Sequence, residues 1–340
     1  MISSSASKFP IRLCIVGCGN YAKMVLDDIH DMTDAVELYF ASRDLVKAKE
    51  FSDNYGGFGY FGSYEDAARD SRVQAMYFFT PHDLHLDNVK LASFYQKHIL
   101  LEKPIGRTVP EARDIIKCAD DSDVTLMVAE NYRFLPLVDK CKEMISDGEI
   151  GKLKVIQIRH EQYEYVFGAH EWRSVVVRNG GGRFIDGGVH FVDIMLNLSG
   201  FPQSVYAVLE SPKVLPNHEG EDGIMMMVRL PENVVGMVHY SGSSPVGKPR
   251  NWVQVTGTLG TLGFDPHESE MTLETLEGSR KIQVEPARRG VRHMVKEFQS
   301  CIVDNRAPLM SGREALNDLA VVLAAYQSAS TGTEVGVSKP

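Results

Sequence analysis

Residues 17–22, GCGNYA, have the types and spacing of a turn that binds phosphate groups. They follow the apolar run IRLCIV and precede apolar residues at helical spacing, which predicts a strand, a tight turn and a helix. Gly17 lets the chain turn sharply, Gly19 lets the backbone approach a pyrophosphate, and Ala22 lets the helix pack closely on the strand. The first turn of that helix offers N–H groups and a positive dipole end to phosphates.

The end of the second predicted strand, VELYFAS, indicates which dinucleotide is preferred. Folds that prefer NAD place an acidic residue here, roughly 20 residues after the glycine turn, to bind the ribose 2′-hydroxyl. This sequence has Ser42 and Arg43 instead. Arginine can donate two parallel hydrogen bonds to phosphate oxygens, so the pair favours NADP over NAD. Alternatively, Ser42 caps the following helix and Arg43 lies on the solvated face of that helix, beside Asp44.

The elements that must position these residues have a clear pattern. Strand-like apolar runs alternate with helical patterns up to about residue 130, which predicts an α/β domain with a doubly wound parallel sheet and ligands at the carboxyl ends of its strands. After a helix near residues 137–146, strand candidates follow one another with little helix between them, which predicts an α+β domain with a large, mostly antiparallel open sheet. We therefore expect a dinucleotide-binding Rossmann domain over residues 1–128 and a substrate-binding and oligomerisation domain over residues 129–340.

Length and composition exclude several other classes of protein. A chain of 340 residues exceeds what one core usually organises, and its formal net charge of -9 argues against a broad grip on nucleic acid. The 5 cysteines are scattered without a CxxC pair, which indicates neither a disulfide framework nor a thiolate zinc site and fits a reducing cytoplasm. The N-terminal MISSSASKFP lacks the apolar core of a signal peptide, and no run reaches the roughly 20 apolar residues of a membrane span. A soluble cytoplasmic protein without a membrane or nucleic-acid partner is expected.

Two later stretches resemble the Gfo/Idh/MocA oxidoreductase family, which includes relatives of glucose-fructose oxidoreductase, inositol dehydrogenase and dihydrodiol dehydrogenase. In that family one strand ends in a Thr-Pro turn with a histidine, here Thr80, Pro81 and His85, and the next strand ends in EKP, here residues 102–104. The similarity continues through AENYRFLP, DGEIGKLKVIQ and a GGG segment with a D-x3-H pair. EKP alone carries no weight, but its register with the other motifs does.

The resemblance implies that Lys103, Asp186 and His190 form the catalytic set. Oxidation of a secondary alcohol needs a base for the hydroxyl proton, and His190 suits that exchange near neutral pH. Lys103 can stabilise the negative charge that develops on the oxygen. Asp186 and His190 are four residues apart, so on a helix they share one face, and the carboxylate could orient the imidazole or bind substrate hydroxyls. Each also has a purely structural interpretation: a solvated turn residue, a helix N-cap and a half-buried histidine.

The residues expected to contact the cofactor come from the glycine turn, from the strand ends and from the segments of the resemblance. They are Gly17, Cys18, Gly19, Asn20, Tyr21, Ser42, Arg43, Thr80, Pro81, His82, His85, Glu102, Lys103, Asn131, Trp172 and Arg173. Core packing is the alternative for Trp172. The glycines next to the D-x3-H pair would let backbone approach a ligand; they are Gly181, Gly182, Gly187 and Gly188.

Other residues have weaker signals. Tyr163 and Tyr165 could line a substrate pocket or pack on the sheet, and Arg133 is a further candidate. No metal is expected, because the spacing of four histidines matches no metal-binding template: His82, His85, His170 and His190.

The expected function is hydride transfer between NADP, or NAD, and a secondary alcohol or ketone of a sugar, sugar derivative or cyclitol. The alternatives are a redox-assisted lyase or glycosidase with tightly bound NAD(P), and a non-catalytic NADP-binding sensor. A sheet with a second apolar face needs a cover, so a homodimer or homotetramer is expected. Residues 210–222, rich in Pro and charge, form either an ordinary loop or a lid.

Overall fold

A computed structural model describes residues 9–163 and 171–340, which form two compact units. The first unit comprises residues 9–106, Pro110–Ala129 and Val291–Glu314, and the second comprises Arg107–Val109, the described part of Glu130–Gly290, and Ala315–Pro340. The sequence suggested one boundary near residue 128, whereas residues 291–314 belong to the first unit. The functional domains 1–128 and 129–340 therefore stay a proposal.

The first unit is built on a parallel sheet, which in the described chain has six strands. These are β1 (Ile11–Val16), β2 (Val36–Ala41), β3 (Gly59–Phe61), β4 (Ala75–Phe78), β5 (His98–Leu101) and β6 (Leu126–Val128). Their order is β3-β2-β1-β4-β5-β6, so the winding reverses between β1 and β4, where such folds bind dinucleotides. Nearly every residue of β1, β2 and β4 is buried, as expected of parallel strands with both faces covered.

The second unit is built on a larger sheet, which in the described chain has nine strands. These are β7 (Leu153–Glu161), β8 (Ser204–Leu209), β9 (Gly223–Arg229), β10 (Val235–Ser241), β11 (Arg250–Gly257), β12 (Gly260–Phe264), β13 (Glu270–Thr275), β14 (Gly278–Gln283) and β15 (Val335–Gly336). Their order is β14-β13-β12-β11-β7-β10-β9-β8-β15, with β7 and β10 parallel and the other described pairs antiparallel. The expected fold class, a doubly wound sheet plus a mostly antiparallel open sheet, is confirmed.

The helices follow the sequence pattern closely. They are α1 (Asn20–Ile29), α2 (Leu45–Tyr55), α3 (Tyr64–Arg69), α4 (His85–Phe94), α5 (Val109–Asp121), α6 (Pro136–Ser146), α7 (Glu171–Ser174), α8 (Val176–Asn179), α9 (Val189–Ser199), α10 (Val291–Asp304) and α11 (Gly312–Thr331). A π-helical turn, Phe184–Gly188, leads directly into α9, which is apolar and buried on nearly all sides. In the described chain, no helix combines the length and apolar character needed to cross a membrane.

Candidate active site

The glycine turn between β1 and α1 has the geometry that a dinucleotide phosphate needs. Gly17 has a φ of +99°, and a Cβ there would lie 3.1 Å from the carbonyl oxygen of Phe79, so two reasons favour glycine. A Cβ at Gly19 would meet no described atom within 4 Å. Gly19 is the N-cap of α1 and, having no side chain, cannot cap the first N–H groups of the helix, which is the arrangement that anion-binding helix starts have. The turn therefore fits a pyrophosphate.

The structure excludes the interpretation of Ser42 as the cap of the following helix. Its hydroxyl is buried and accepts a hydrogen bond from the N–H of Asp44 at 3.1 Å. The N-cap of α2 is Asp44, whose Oδ1 accepts from the N–H groups of Val46 at 3.0 Å and Lys47 at 3.3 Å. Ser42 is thus not the helix cap, and Arg43 is exposed beside it.

Two cations lie near the end of β2. Burial raises the pKa of Tyr64, and the neighbouring Arg43 guanidinium opposes that rise. Burial also raises the pKa of Cys18 in the glycine turn to about 12, and the Lys47 ammonium opposes that rise. Arg43 is therefore within electrostatic reach of Tyr64, the first residue of α3, and Lys47 is within reach of Cys18 in the glycine turn. The sequence did not single out Lys47, because nothing distinguishes it from any other surface lysine in the first turn of a helix.

His85 contacts both turns that follow β4 and β5. Its Nδ1 lies 3.0 Å from the carbonyl oxygen of Pro104, and its Nε2 lies 3.2 Å from that of Thr80. Asn88 donates to the Thr80 hydroxyl at 2.6 Å. Complete burial lowers the pKa of His85 to about 4, so the imidazole is neutral near pH 7. These contacts fix the backbone directly after Lys103 against the turn that follows β4.

Lys103 is the one residue of segment 101–106 that is not buried. Its neighbour Glu102 is 6% exposed and accepts a hydrogen bond from the Tyr77 hydroxyl at 2.8 Å. A buried, hydrogen-bonded turn thus presents a partly exposed lysine, which is the arrangement that a reacting ammonium group requires.

In the second unit, His190 lies in the first turn of α9 and is buried. Its Nδ1 is hydrogen-bonded to the carboxylate of Glu130, which follows β6 and caps the 3₁₀ helix Asn131–Phe134. The ring of Tyr132 stacks on the imidazole, with ring centroids 4.1 Å apart and planes at 13°. His267 meets the Tyr132 ring edge-on, with its centroid 4.6 Å from that of Tyr132. The imidazole of His190 is therefore constrained at one nitrogen and on one face.

Asp186 lies in the π-helical turn and contacts two arginines. Its Oδ2 accepts from Nε of Arg173 at 3.2 Å and from a terminal nitrogen of Arg183 at 3.3 Å. The guanidinium of Arg173 also lies over the Trp172 ring, 4.3 Å from its centroid. The turn has π-helical rather than α-helical geometry, so the expectation that Asp186 and His190 share the face of one regular helix needs correction.

The glycines beside Asp186 are explained by packing within the protein. A Cβ at Gly182 would lie 2.2 Å from the Glu221 carboxylate, and one at Gly187 would lie 2.1 Å from the Tyr240 hydroxyl. Cβ atoms at the other two positions, Gly181 and Gly188, would lie 2.6 and 2.0 Å from the rings of Tyr326 and Phe184. Protein side chains thus occupy the space beside these glycines, where the sequence led us to expect a ligand.

The 210–222 segment is bonded to the π-helical turn at its far end. Glu221 accepts from the N–H of Phe184 at 2.7 Å and from the Tyr326 hydroxyl at 2.8 Å. Asp222 is fully buried and accepts from the N–H of Leu215 at 3.0 Å. These hydrogen bonds favour an ordered loop that supports the π-helical turn. They argue against a lid that moves as a whole.

The remaining candidates have structural contacts. Asn131 donates to the carbonyl oxygen of Arg289, and Arg133 forms a buried ion pair with Asp193. His82 is buried, with its ring centroid 5.5 Å from that of His85. Tyr163 forms an isolated bridge with Ser243. His170 and Tyr165 lie outside the described residues.

The described part of the chain contains no group of three or more His, Cys, Asp or Glu side chains arranged to bind a metal ion. The residues that the sequence missed are Glu130, Arg183 and Lys47. Of these, Glu130 had the clearest signal, since it directly follows an apolar strand within AENYRFLP.

The first unit has the architecture of a dinucleotide-binding domain, and comparison with known families identifies the class of protein. Residues 11–130 match the family described as "Oxidoreductase family, NAD-binding Rossmann fold", and residues 138–263 match the "GFO/IDH/MocA C-terminal domain". The chain belongs to the Gfo/Idh/MocA family of oxidoreductases. The resemblance drawn from the sequence is confirmed, and so is the expectation of an enzyme of the dehydrogenase and reductase class.

Several named relatives are similar to this chain. The trans-1,2-dihydrobenzene-1,2-diol dehydrogenase of Mus musculus is 31% identical over 225 residues, which cover 65% of this chain and 63% of the mouse protein. The D-xylose 1-dehydrogenase (NADP(+)) 2 of Haloferax volcanii is 26% identical, with 87% of this chain and 90% of that protein covered. A solved levoglucosan dehydrogenase, in complex with NADH and levoglucosan, has a TM-score of 0.87 at 21% identity, with 96% of this chain and 99% of that chain covered. That last likeness shows the fold alone.

Proposed function

We propose that the protein transfers a hydride between NAD(P) and a secondary alcohol or ketone of a sugar, sugar derivative or cyclitol. The family supports an oxidoreductase, and the names of relatives support a carbohydrate or diol substrate. The observation that carries the proposal is the constrained imidazole of His190, because an acid/base group must be fixed in orientation while staying able to exchange a proton.

The protein's own residues have distinct tasks in this proposal. The nicotinamide, when bound, supplies or accepts the hydride. His190 takes the hydroxyl proton during oxidation and returns it during reduction. Lys103, presented by its buried turn, stabilises negative charge on a substrate oxygen. Asp186, whose carboxylate is fixed by Arg173 and Arg183, accepts hydrogen bonds from substrate hydroxyls.

For the cofactor, the proposal favours NADP. Arg43 is exposed at the end of β2, where an acidic residue would select NAD, and Lys47 adds a second cation. The Haloferax relative is named as NADP-dependent, while the solved levoglucosan dehydrogenase is in complex with NADH. The remaining cofactor contacts expected from the sequence are part of the same proposal.

The exposed face of the second sheet supports a homo-oligomer. Tyr206, Met225 and Met227 are 42%, 48% and 56% exposed on neighbouring strands, and Val208 and Trp252 are similarly exposed. Tyr206 is the register partner of Met227, and Val208 is that of Met225, so these side chains form one patch. Large apolar patches usually mark an interface, and we propose that a second copy of the chain covers this one.

The experiment is a turnover assay that follows the absorbance of reduced nicotinamide. D-xylose and other aldoses are offered with NADP+ and NAD+, and keto-sugars with NADPH and NADH. His190→Gln should lower kcat by on the order of 10²–10⁴-fold, whereas the exposed Glu143→Gln should have no effect. If His190→Gln retains wild-type turnover, or if no pair of cofactor and substrate is turned over, the proposal is wrong.

A further inference from the structure

We propose that Glu130, rather than Asp186, is the positioning residue of His190: it accepts the Nδ1 hydrogen and so makes Nε2 the nitrogen that exchanges protons with substrate. This inference rests on the proposed function only for the role of His190 as acid and base. The pairing itself can be measured without any turnover.

The position of Glu130 is fixed independently of His190. The residue comes two positions after the end of the buried strand β6 and is the N-cap of the 3₁₀ helix Asn131–Phe134, where its Oε1 accepts from the N–H of Tyr132 at 3.2 Å. Its side chain is only 1% exposed. An ionised carboxylate can only accept hydrogen bonds, so the imidazole nitrogen that contacts it must bear hydrogen. In the neutral ring, Nε2 is then the nitrogen with the lone pair of a base.

The plane of the imidazole is fixed by aromatic contacts. Tyr132, which comes two residues after Glu130, stacks on His190 at 4.1 Å, and Phe191 meets Tyr132 edge-on at 5.7 Å. One short segment therefore provides both the hydrogen-bond acceptor and the stacking surface. A ring that is held in this way loses little orientational freedom when it reacts, which is the purpose of a positioning group.

The buried carboxylates near this helix have separate partners. Asp186 contacts Arg173 and Arg183. Asp193, one turn further along α9, forms its ion pair with Arg133 and shares a hydrogen bond with the buried Asp318. Burial raises the pKa of Asp193 to about 6, with Arg133 opposing and Glu130 adding to the rise. Among these three carboxylates, the contact with Nδ1 of His190 is made by Glu130.

Other titratable groups around His190 come from several elements. They are Tyr132 and Arg133 in the 3₁₀ helix, Asp193 on α9, His160 on β7, and Asp265 and His267 after β12. Burial lowers the pKa of His160 to about 4 and also lowers that of His267, with His190 a further cause in both. These two imidazoles are therefore neutral near pH 7 and add no positive charge beside His190.

The direct test is ¹⁵N NMR of the whole ¹⁵N-labelled protein without substrate, with the His190 signals among those of 11 histidines assigned by His190→Gln. We expect the Nδ1–H tautomer, with a strongly downfield Nδ1 proton that moves upfield in Glu130→Gln, because an amide oxygen is a weaker acceptor than a carboxylate. The matched control is Glu210→Gln, because Glu210 also pairs with a histidine, His239 Nε2, at 2.8 Å. That change should move the His239 signals and leave those of His190 unaltered. An Nε2–H tautomer in the wild type, or a His190 signal unaffected by Glu130→Gln, overturns the inference.

Kinetics then separate positioning from binding. Glu130→Gln should lower kcat by on the order of 10²–10⁴-fold, as loss of an orienting carboxylate does, with little change in KM. The limb of the kcat profile that reports His190 is the acidic limb for oxidation and the basic limb for reduction. In either direction this limb should move to lower pH, because imidazolium loses its anionic partner. Asp186→Asn should raise KM instead. If Asp186→Asn reproduces the kcat loss and pH shift while Glu130→Gln does not, Asp186 is the positioning residue and the inference is wrong. If the NMR pairing is found but His190→Gln retains full turnover, the proposed function fails while the pairing stands.

Discussion

Replacement of Arg43 by alanine should weaken binding of NADPH and leave binding of NADH unchanged. Arg43 is exposed at the end of β2 and interacts with the half-buried Tyr64, so its truncation should lower the free energy of unfolding by no more than the roughly 0.5–1.5 kcal/mol of one hydrogen bond. The variant therefore changes the charge beside the cofactor without changing the fold. Ser42 and the Asp44 cap stay in place, because their hydrogen bonds involve backbone N–H groups and not Arg43.

The expected loss of NADPH affinity follows from the hydrogen bonds that a guanidinium forms with a phosphate. A guanidinium can donate two charge-assisted hydrogen bonds to a 2′-phosphate, and solvent exposure keeps their joint contribution to about 1.5–3 kcal/mol. This corresponds to a roughly 10–150-fold rise in Kd for NADPH. Lys47 remains in Arg43→Ala, so some preference for NADPH should persist and should fall further in the double variant Arg43→Ala, Lys47→Ala. The preference should also weaken with added salt, because both cations are accessible to solvent ions.

The assay is fluorescence titration of each protein with NADPH and with NADH at low and at moderate salt. Lys49→Ala is the control, since Lys49 is an exposed cation on the same helix that pairs with Asp53 at 2.6 Å. Equal NADPH affinity in Arg43→Ala and the wild type would refute the 2′-phosphate interpretation. Tighter binding of NADH than of NADPH by the wild type would do the same, and would direct the substrate screen towards oxidation of polyols with NAD+.

Four further predictions concern two turns, the pH dependence and the oligomer. Gly19→Ala should weaken NADPH binding but leave the unfolding temperature unchanged, because its Cβ would meet no described atom within 4 Å. Gly187→Ala should lower the free energy of unfolding by about 1–3 kcal/mol, because its Cβ would lie 2.1 Å from the Tyr240 hydroxyl. Equal melting curves for Gly187→Ala and the wild type would contradict this. The pKa of His85 is lowered to about 4 in the folded state, so its contribution to stability is present above the unfolded pKa of about 6.5 and is lost as pH falls towards 4. Urea unfolding between these pH values should show a slope smaller by about one proton, or about 1.4 kcal/mol per pH unit, in His85→Gln, and equal slopes would argue against it. Met227→Glu should lower the mass measured by light scattering if the exposed sheet face is the interface, whereas an unchanged oligomer would place the interface elsewhere.

Most of the fold could be predicted because its elements have strong periodic patterns. Strands β1, β2 and β4 are buried on both faces and read as continuous apolar runs, and β9 alternates buried and exposed residues as a sheet with one covered face requires. The sequence missed β3 and β15, which are 3 and 2 residues long, too short for a pattern. It also placed residues 291–314 in the second domain, because an amphipathic pattern identifies a helix without identifying the partner of its apolar face. In the structure that partner includes α1.

The candidate site was accessible from the sequence only where residues are close together in the chain. The glycine turn and the Asp186–His190 spacing are local, so the order of residue types is enough to reveal both. Even there, the four-residue spacing was interpreted with α-helical geometry, and the π-helical turn that contains Asp186 changes which side chains face each other. Nothing in a sequence marks one turn of a helix as π-helical.

Glu130 illustrates the harder case, since sixty positions separate it from His190. From the sequence alone it is an acidic residue after an apolar strand, which a helix cap would explain fully, and it does cap the 3₁₀ helix. Its second contact depends on α9 packing against that 3₁₀ helix, a consequence of the tertiary fold. A sequence can suggest which histidine exchanges protons, because the reaction restricts the residue types. A sequence does not show which carboxylate orients that histidine. Glu130, Asp186 and Asp193 are all candidates, and packing decides which of them contacts the imidazole and which contact the three arginines.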